Sequence, residues 1–299
     1  MTLVGVDDVA IRADFDRRLR LLRPKLHRYC ARMTGSVFDG EDVLQDALVK
    51  AIDALPKLAS VENPEAWLFR IAHNAALDFL RRRARREAGH SDEDIAMVAD
   101  RSSQTDERIA TTASLRTFLR LPVAQRSSVI LMDVLGYSLE EIGGVLDATI
   151  SSVKANLNRG RAHLREFANE PDDRPLPALS PSERALLRAY VDLFNARDFD
   201  AIRDMLADEV RLDLVARTKM NGRAEVATYF SNYANDREWH LGLGLVDGRP
   251  AVLVMSASDT ARKPLYFVLL GWSGEELLAI RDFRYARYVM DGAEVRMLA

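Results

Sequence analysis

The chain has 299 residues, of which 48% are hydrophobic, with a formal net charge of −3 at pH 7 and a single cysteine. The hydrophobic fraction is large enough for a substantial core, and the length favours two or more domains. One cysteine excludes a disulfide framework and a cysteine-based metal site. No apolar run is long enough to span a membrane and the first residues lack a secretory signal pattern, so we expect a cytoplasmic protein without membrane contact.

The first part of the chain, residues 10–86, has the periodicity of a helical bundle. The predicted helices are Phe15–Met33, Asp42–Leu55 and Pro64–Arg86. The second starts after an acidic stretch that contains Gly40, and the third has Asn63 in the N-cap position before a proline. Cys30 lies on the first helix, where we expect a buried thiol.

Charge is strongly segregated at the end of the third helix. One carboxylate, Asp78, opposes a block of arginines formed by Arg70, Arg81, Arg82, Arg83, Arg85 and Arg86. Clustered arginines attract phosphates whatever the net charge of the chain is. The following stretch, 87–105, is polar and acidic and predicts a flexible linker. A basic block in a chain of weak net charge suggests a protein that binds DNA while another component holds it there.

Residues 106–168 are again helical and contain the most informative pattern. A short amphipathic helix is predicted at Ser138–Leu146, and a second helix follows the tight connection 147–149. The apolar face of the second helix is formed by Ile150, Val153, Leu157 and Leu164. Its other face is polar and basic, so the pair predicts a helix-turn-helix whose second helix reads the DNA major groove. An ordinary helical hairpin with a solvated basic face is the alternative.

The last part of the chain, 181–299, follows a predicted proline-rich linker at 169–180. It opens with helices and continues with short runs rich in β-formers, separated by Gly or Asp-Gly turns. The predicted helices are Pro181–Ala196, Phe199–Ala207 and Gly222–Tyr233. The predicted strands are Leu241–Val246, Pro250–Ser256, Pro264–Trp272 and Glu276–Tyr285. This pattern indicates an α+β domain.

Several separated motifs resemble a known family. Residues 64–74 (PEAWLFRIAHN), with the arginine block after them, resemble region 2 of the extracytoplasmic-function (ECF) sigma factors of RNA polymerase. Residues 39–47 (DGEDVLQDA) resemble the helix with which that family binds the core polymerase. Residues 121–126 (LPVAQR) and 136–142 (GYSLEEI) introduce the helix-turn-helix as in region 4. Residues 181–299 more loosely resemble the cone-shaped SnoaL-like domain of the nuclear-transport-factor superfamily.

The resemblance implies a multidomain fold with two all-α sigma domains, the region 2 bundle at 10–86 and the region 4 helix-turn-helix at 106–168, followed by an α+β SnoaL-like domain. It implies core RNA polymerase and promoter DNA as partners, no cofactor, and promoter recognition without covalent chemistry. As a hypothesis, the SnoaL-like tail controls the sigma domains in cis and is open to a small-molecule ligand.

Family positions carry over residue by residue. For the −10 promoter element they are Asn74, Asp78, Arg81, Arg82 and Arg85. For the −35 element they are Ser151, Ser152, Lys154, Ala155, Asn158 and Arg159. For the core polymerase they are Glu41, Asp42, Gln45 and Asp46, although acidic residues in a first helical turn also stabilise the helix by themselves. The family commonly has Thr, Ser and Arg where this chain has Ser152, Ala155 and Asn156, and Gly143–Gly144 replaces a typical Ala-Glu in the first helix. These departures leave base preference and affinity open.

Other polar and aromatic residues are assigned more conservatively. Trp67 could stack on bases, but its apolar neighbours favour a core position, and His73 is expected in the core or in solvent rather than in contact with DNA. Candidates to line a tail pocket are Asp213, Tyr229, Tyr233, Trp239 and His240. The histidines show no metal spacing, and no nucleotide-binding loop or nucleophile elbow occurs, so we expect no catalytic residue and no metal.

Two alternative functions stay open at this point. The first is a one-component DNA-binding regulator with a ligand-sensing tail, which would need neither the acidic helix nor the 64–74 segment. The second is an isomerase or cyclase tail with the sigma domains as its regulator.

Overall fold

The structure is a computed structural model that divides into two compact units, Met1–Asp172 and Asp173–Ala299. It describes residues 4–54, 63–86, 104–168, 179–234 and 238–298. The division falls inside the predicted proline-rich linker. Most of both predicted linkers, residues 87–103 and 169–178, lies outside the described residues. Within the described ranges, no helix is both long and apolar enough to cross a membrane.

The first unit is all-α. Its helices are α1 (Val4–Thr34), α2 (Val37–Asp53), α3 (Pro64–Arg86), α4 (Gln104–Thr112), α5 (Leu115–Leu119), α6 (Val123–Val129), α7 (Leu139–Leu146) and α8 (Ile150–Ala168). Helix α6 continues into one π-helical turn, Ile130–Val134. Buried side chains from both predicted sigma domains form one hydrophobic core, so the two domains pack against each other in this unit.

The predicted start of α2 at Asp42 is wrong by five residues. Ser36 is the N-cap, and its hydroxyl accepts hydrogen bonds from the backbone N–H groups of Phe38 and Asp39 at 3.2 and 3.4 Å. Gly40 lies inside the helix because α1 passes close to it: a Cβ there would be 2.5 Å from the Cα of Ala31. The glycine marks close helix packing and does not break the helix. The predicted end at Leu55 lies outside the described residues.

Polar contacts reinforce the packing between the two halves of the first unit. The buried Arg126 guanidinium donates to the main-chain oxygens of Met33, Leu119 and Leu121 at 2.7, 3.0 and 2.8 Å. The Arg70 side chain donates from Nε to the main-chain oxygen of Gly144 at 3.1 Å. These bonds join α1 and α3 to the region around α5–α7.

Tyr137, just before α7, makes a second set of contacts with the region 2 half. Its hydroxyl donates to the Glu65 carboxylate. Its ring packs edge-on against Phe69 with centroids 5.1 Å apart, and the Lys25 ammonium lies 5.8 Å from its centroid. Helix α7 is therefore held against the first turns of α3.

The second unit is α+β. Its helices are α9 (Pro181–Ala196), α10 (Phe199–Asp204) and α11 (Arg223–Ala234). Its strands are β1 (Leu206–Leu214), β2 (Thr218–Asn221), β3 (Trp239–Val246), β4 (Arg249–Ser256), β5 (Pro264–Ser273), β6 (Glu276–Asp282) and β7 (Val295–Met297). They form one sheet in the order β2-β1-β6-β5-β4-β3-β7, in which β1 and β6 are parallel and the other pairs antiparallel.

The sequence predicted the helices of this unit and its central strands, but not β1, β2 or β7. Helix α10 ends at Asp204 instead of Ala207 because the chain enters β1 at Leu206. Strand β6 ends at Asp282 rather than Tyr285. Apolar side chains of the three helices and of one sheet face form the core of the unit.

Candidate nucleic-acid interface

Helices α7 and α8 form the predicted helix-turn-helix. Helix α7 begins with a capping box, in which Ser138 and Glu141 satisfy each other's backbone N–H groups at 3.3 and 2.8 Å. It ends at Asp147, whose backbone is left-handed with φ of 53°. A Cβ on Gly143 would lie 2.9 Å from the Ala148 main-chain oxygen, so this glycine lets the turn close tightly. Gly144 has no such neighbour.

The first turns of α8 are open to solvent. Ser151, Ser152, Lys154 and Ala155 are exposed, and Asn158 and Arg159 are half-buried. The predicted apolar face is buried at Val153, Leu157 and Leu164. The assignment of Ile150 to that face is wrong: its side chain is 42% exposed, because the buried side of α8 begins at Val153.

Two ion pairs that the sequence did not predict fix α8 on the bundle. The Arg161 guanidinium binds the buried Asp133 carboxylate through two nitrogens, at 2.9 and 2.5 Å, and Arg165 binds the buried Asp106 at 2.7 Å. A bidentate pair sets the rotation of the helix as well as its position. In the sequence, the available signal for these ion pairs was Asp133, a lone aspartate in the apolar run 129–135.

Helix α3 turns its predicted DNA-binding residues outward. Asn74, Arg81, Arg82 and Arg85 are exposed and Asp78 is half-buried. Trp67 is half-buried and packs against the core. His73 is buried, and its Nδ1 lies 2.7 Å from the Tyr29 hydroxyl. Burial and the nearby Arg81 lower the pKa of His73 to about 4, so the ring is neutral at pH 7.

Helix α2 divides the four predicted polymerase-binding residues between two environments. Asp42 and Asp46 are exposed and Gln45 is half-buried. Glu41 is fully buried and accepts a bond from Arg23 on α1 at 2.7 Å. Its carboxylate therefore lies inside the bundle and not on the surface. The predicted inward packing of Val43, Leu44, Ala47 and Leu48 is confirmed.

Ion pairs join α2 and α3, with the acidic residue on α2 in one pair and on α3 in another. Asp46 lies 3.5 Å from Arg82, and Lys50 lies 3.3 Å from Asp78. Next to the first pair, a groove of about 560 Å³ separates the two helices. Its lining residues are Asp42, Asp46, Phe79, Arg82, Arg85 and Arg86. The structure thus brings predicted polymerase-binding and predicted −10-binding side chains together.

The second unit contains a buried polar cluster that includes part of the predicted tail pocket. The Tyr229 and Tyr233 hydroxyls donate to the carboxylate of Asp282 at 2.6 and 3.4 Å, and the Arg284 backbone N–H donates to its other oxygen at 2.8 Å. Burial raises the pKa of Asp282. The Arg284 guanidinium lies over the Tyr233 and Trp239 rings, 5.3 and 5.1 Å from their centroids.

The sequence missed Asp282, and two predicted pocket residues lie elsewhere. His240 follows the buried Trp239 in β3, and Asp213 lies between the buried Leu212 and Leu214 in β1. Since side chains alternate along a strand, both lie on the opposite sheet face from the cluster. Asp213 pairs there with Arg281 at 3.6 Å. Asp282 follows the buried Ile280 by two residues in β6 and therefore lies on the same sheet face. This spacing was the sequence signal for a buried carboxylate. In the described part of the chain, no three His, Cys, Asp or Glu side chains group as metal ligands.

These features define a helix-turn-helix protein with an attached α+β domain, and comparisons with known proteins identify the family. Sigma-70 region 2 matches residues 19–86, Sigma-70 region 4 matches 115–164, and the SnoaL-like domain matches 187–291. ECF RNA polymerase sigma factor SigM of Mycobacterium tuberculosis is 35% identical over 150 residues, which cover 50% of this chain and 74% of SigM. The chain belongs to the ECF RNA polymerase sigma factors.

Two further matches extend the comparison. SigG of Mycobacterium tuberculosis is 28% identical over 226 residues, covering 66% of this chain and 60% of SigG. The sigma factor RpoE from Bartonella quintana, in its co-crystal structure with the anti-sigma factor NepR, is 26% identical with a TM-score of 0.41. That match covers 54% of this chain and 99% of RpoE.

Proposed function

We propose that this chain binds core RNA polymerase and directs it to promoters, using different helices for two DNA elements. The observation that carries the proposal is that α3 and α8 each expose a polar surface: Asn74 with arginines on α3, and Lys154 with small polar residues on α8. A regulator that only binds duplex DNA needs the second surface and not the first.

For the −35 element, we propose that α8 enters the major groove with its first turns. The support is the exposure of Ser151, Ser152, Lys154 and Ala155 at the N-terminal part of the second helix, where helix-turn-helix proteins contact base edges. Asn158 and Arg159 lie further along the helix. Asn and Arg can form bidentate pairs with adenine and guanine, respectively.

For the −10 element, we propose that α3 holds a single strand. A strand without its partner exposes phosphates and base edges, so it needs cations and a group that can both donate and accept. The exposed arginines Arg81, Arg82 and Arg85 would bind phosphates, and the exposed Asn74 amide would bind a base edge, one helical turn from Asp78. Buried His73 supports the helix from its other side.

For the core polymerase, we propose that Asp42, Gln45 and Asp46 make the contact. The support is that these three side chains reach the surface on the acidic flank of α2. Glu41 would act indirectly, because its bond to Arg23 fixes α2 on α1.

For the tail, we propose control of the sigma unit in cis. The connection at 169–178 is short, so the tail stays at high effective concentration beside the unit it would control. A small-molecule ligand of the tail would act at the Tyr229–Tyr233–Asp282 cluster, where hydroxyl and carboxyl groups lie within an otherwise apolar interior. We assign no catalytic step to that cluster.

The test is transcription by a bacterial core polymerase on a promoter library, with the full chain and with a chain that ends at Asp172. Promoter-specific transcripts from the full chain are expected, and a difference between the two chains gives the sign of the tail's effect. Asn74→Ala should abolish duplex opening while leaving core binding intact. Binding to duplex DNA without any assembly with core polymerase would instead identify a one-component regulator.

A further inference from the structure

In the second unit, two arginines lie over the rings of Tyr233, Trp239 and Tyr266. The Arg284 guanidinium lies over Tyr233 and Trp239, as described above. The Arg287 guanidinium lies 5.8 Å from the Trp239 centroid and 5.5 Å from the Tyr266 centroid. The three aromatic side chains are buried, whereas Arg284 is half-buried and Arg287 is exposed. These two ring arginines therefore cover aromatic surface at the boundary between the interior of the unit and solvent.

Neither ring arginine forms an ion pair with a carboxylate among the described residues. Other arginines of the unit do, since Arg203, Arg223 and Arg281 each lie within 3.6 Å of an aspartate. The buried Asp282 does not serve this purpose, because two tyrosine hydroxyls and a backbone N–H already bind its oxygens. Two cations on one indole ring, without a paired carboxylate, attract an anion.

The rings beneath the arginines indicate what kind of anion fits. A flat aromatic group can replace a guanidinium over Trp239 and Tyr266, because aromatic rings pack on each other as well as on cations. A carboxylate matches the planar fork of a guanidinium and accepts two hydrogen bonds from it. A molecule that carries both groups satisfies the rings and the arginines together.

We propose that Arg284 and Arg287 bind the carboxylate of a small aromatic acid, whose ring packs on Trp239 and Tyr266. Arg287, the more exposed of the two, leaves the rings to admit the acid and then pairs with its carboxylate. This proposal rests on the ligand control proposed for the tail and names the chemical class of that ligand.

The test is a ligand-observed NMR titration of the full chain, without polymerase or DNA, with benzoate, 1-naphthoate and indole-3-carboxylate. Each acid is compared with its amide, which has the same ring and no charge. The acids should bind about 10-fold or more tightly than their amides, because hydrogen bonds to a charged group are the stronger ones. Inorganic phosphate, an anion without a ring, should bind more weakly than the acids.

Substitutions at Arg287 separate the charge from the fold. Arg287→Gln should weaken binding of the acids by about 10- to 100-fold and should not weaken that of the amides. Arg287→Lys keeps the charge without the fork and should lose less. Arg262→Gln is the matched control, because Arg262 is an exposed arginine of the same unit whose side chain makes no hydrogen bond, ion pair or ring contact within the described residues.

The proposal is overturned by equal binding of acids and amides, or by equal binding of the acids to the Arg287→Gln and Arg262→Gln chains. Phosphate binding as tight as that of the acids, or no binding of any of the three acids, would overturn it too. The ligand control proposed for the tail fails separately, if an acid binds the chain but leaves its transcription with core polymerase unchanged.

Discussion

Arg126 offers the sharpest test of how the two halves of the first unit hold together. Its guanidinium is buried and donates to main-chain oxygens of Met33, Leu119 and Leu121. Met33 lies in the last turn of α1, where carbonyl groups have no partner within the helix and the helix dipole favours a cation. Arg126→Met keeps the apolar stem of the side chain but removes all three bonds.

The expected loss is large for a single substitution. Three hydrogen bonds of about 1 to 1.5 kcal/mol each give a destabilisation of roughly 3–5 kcal/mol, since the carbonyl groups stay buried after the donor is gone. Such a loss corresponds to an opening constant about 10²- to 10⁴-fold larger. Arg126→Lys should lose less, because an ammonium can still donate to one or two of the three oxygens.

Hydrogen exchange followed by mass spectrometry on the full chain measures this locally. Protection should fall together at the end of α1 and in α5–α6, because one side chain serves both regions. Arg108→Met is the matched control, since Arg108 is exposed on α4 and its side chain makes no hydrogen bond, ion pair or ring contact in the described part of the chain. A change no larger than that of the control, or a loss confined to α6, would refute the reasoning.

Three further substitutions test other parts of the unit. The pKa of His73 is depressed in the folded chain, so the unfolded chain takes up a proton first as pH falls from 6.5 towards 4. The folded state therefore loses about 3 kcal/mol of stability across that window. His73→Gln should remove this loss, as measured by urea titrations. Ser138→Ala removes the cap of α7 and should cost about 1 kcal/mol by thermal unfolding. Gly160→Ala puts a Cβ 2.7 Å from Val129 and should cost about 1–3 kcal/mol.

Each of these has its own control. A wild-type stability curve that is flat between pH 6.5 and 4 would contradict the account of His73. Ser138→Thr keeps the hydroxyl and should retain most of the cap, so equal losses from Ala and Thr would contradict a capping role. For Gly160, the control is Ala at Gly144, where nothing lies within 4 Å of the added carbon. Gly144→Ala should be neutral or stabilising by up to about 1 kcal/mol, because alanine is the better helix former. An equal gain at the two glycines would show that helix propensity, and not packing, decides.

The helices and the outward faces of α3 and α8 could be predicted because periodicity and capping are local properties. The start of α2 could not, since Gly40 looks like a helix breaker until α1 is known to lie against it. The pairing of Asp46 with Arg82 was equally hidden: each residue was predicted on its own surface, and their contact depends on how two helices pack.

In the second unit, the edge strands were missed for a similar reason. Strand β2 is mostly exposed and β7 has three residues, so neither carries a strong apolar alternation. The buried Asp282 shows the limit of reasoning from residue type, because the sequence suggested Asp213 as the carboxylate of the pocket. The two tyrosine hydroxyls that satisfy it come from a helix distant in sequence.

The bonds from Arg126 and Arg70 to main-chain oxygens affect which residues of this interface are constrained in evolution. A carbonyl oxygen is present whatever the side chain is, so these bonds by themselves do not constrain which side chain stands at position 33 or 144. Correlated substitutions across relatives would therefore report little of this contact between the halves. Genetic screens for loosened variants should accordingly recover changes at the two arginines, because the bonds depend on their side chains and not on those of the residues that accept them.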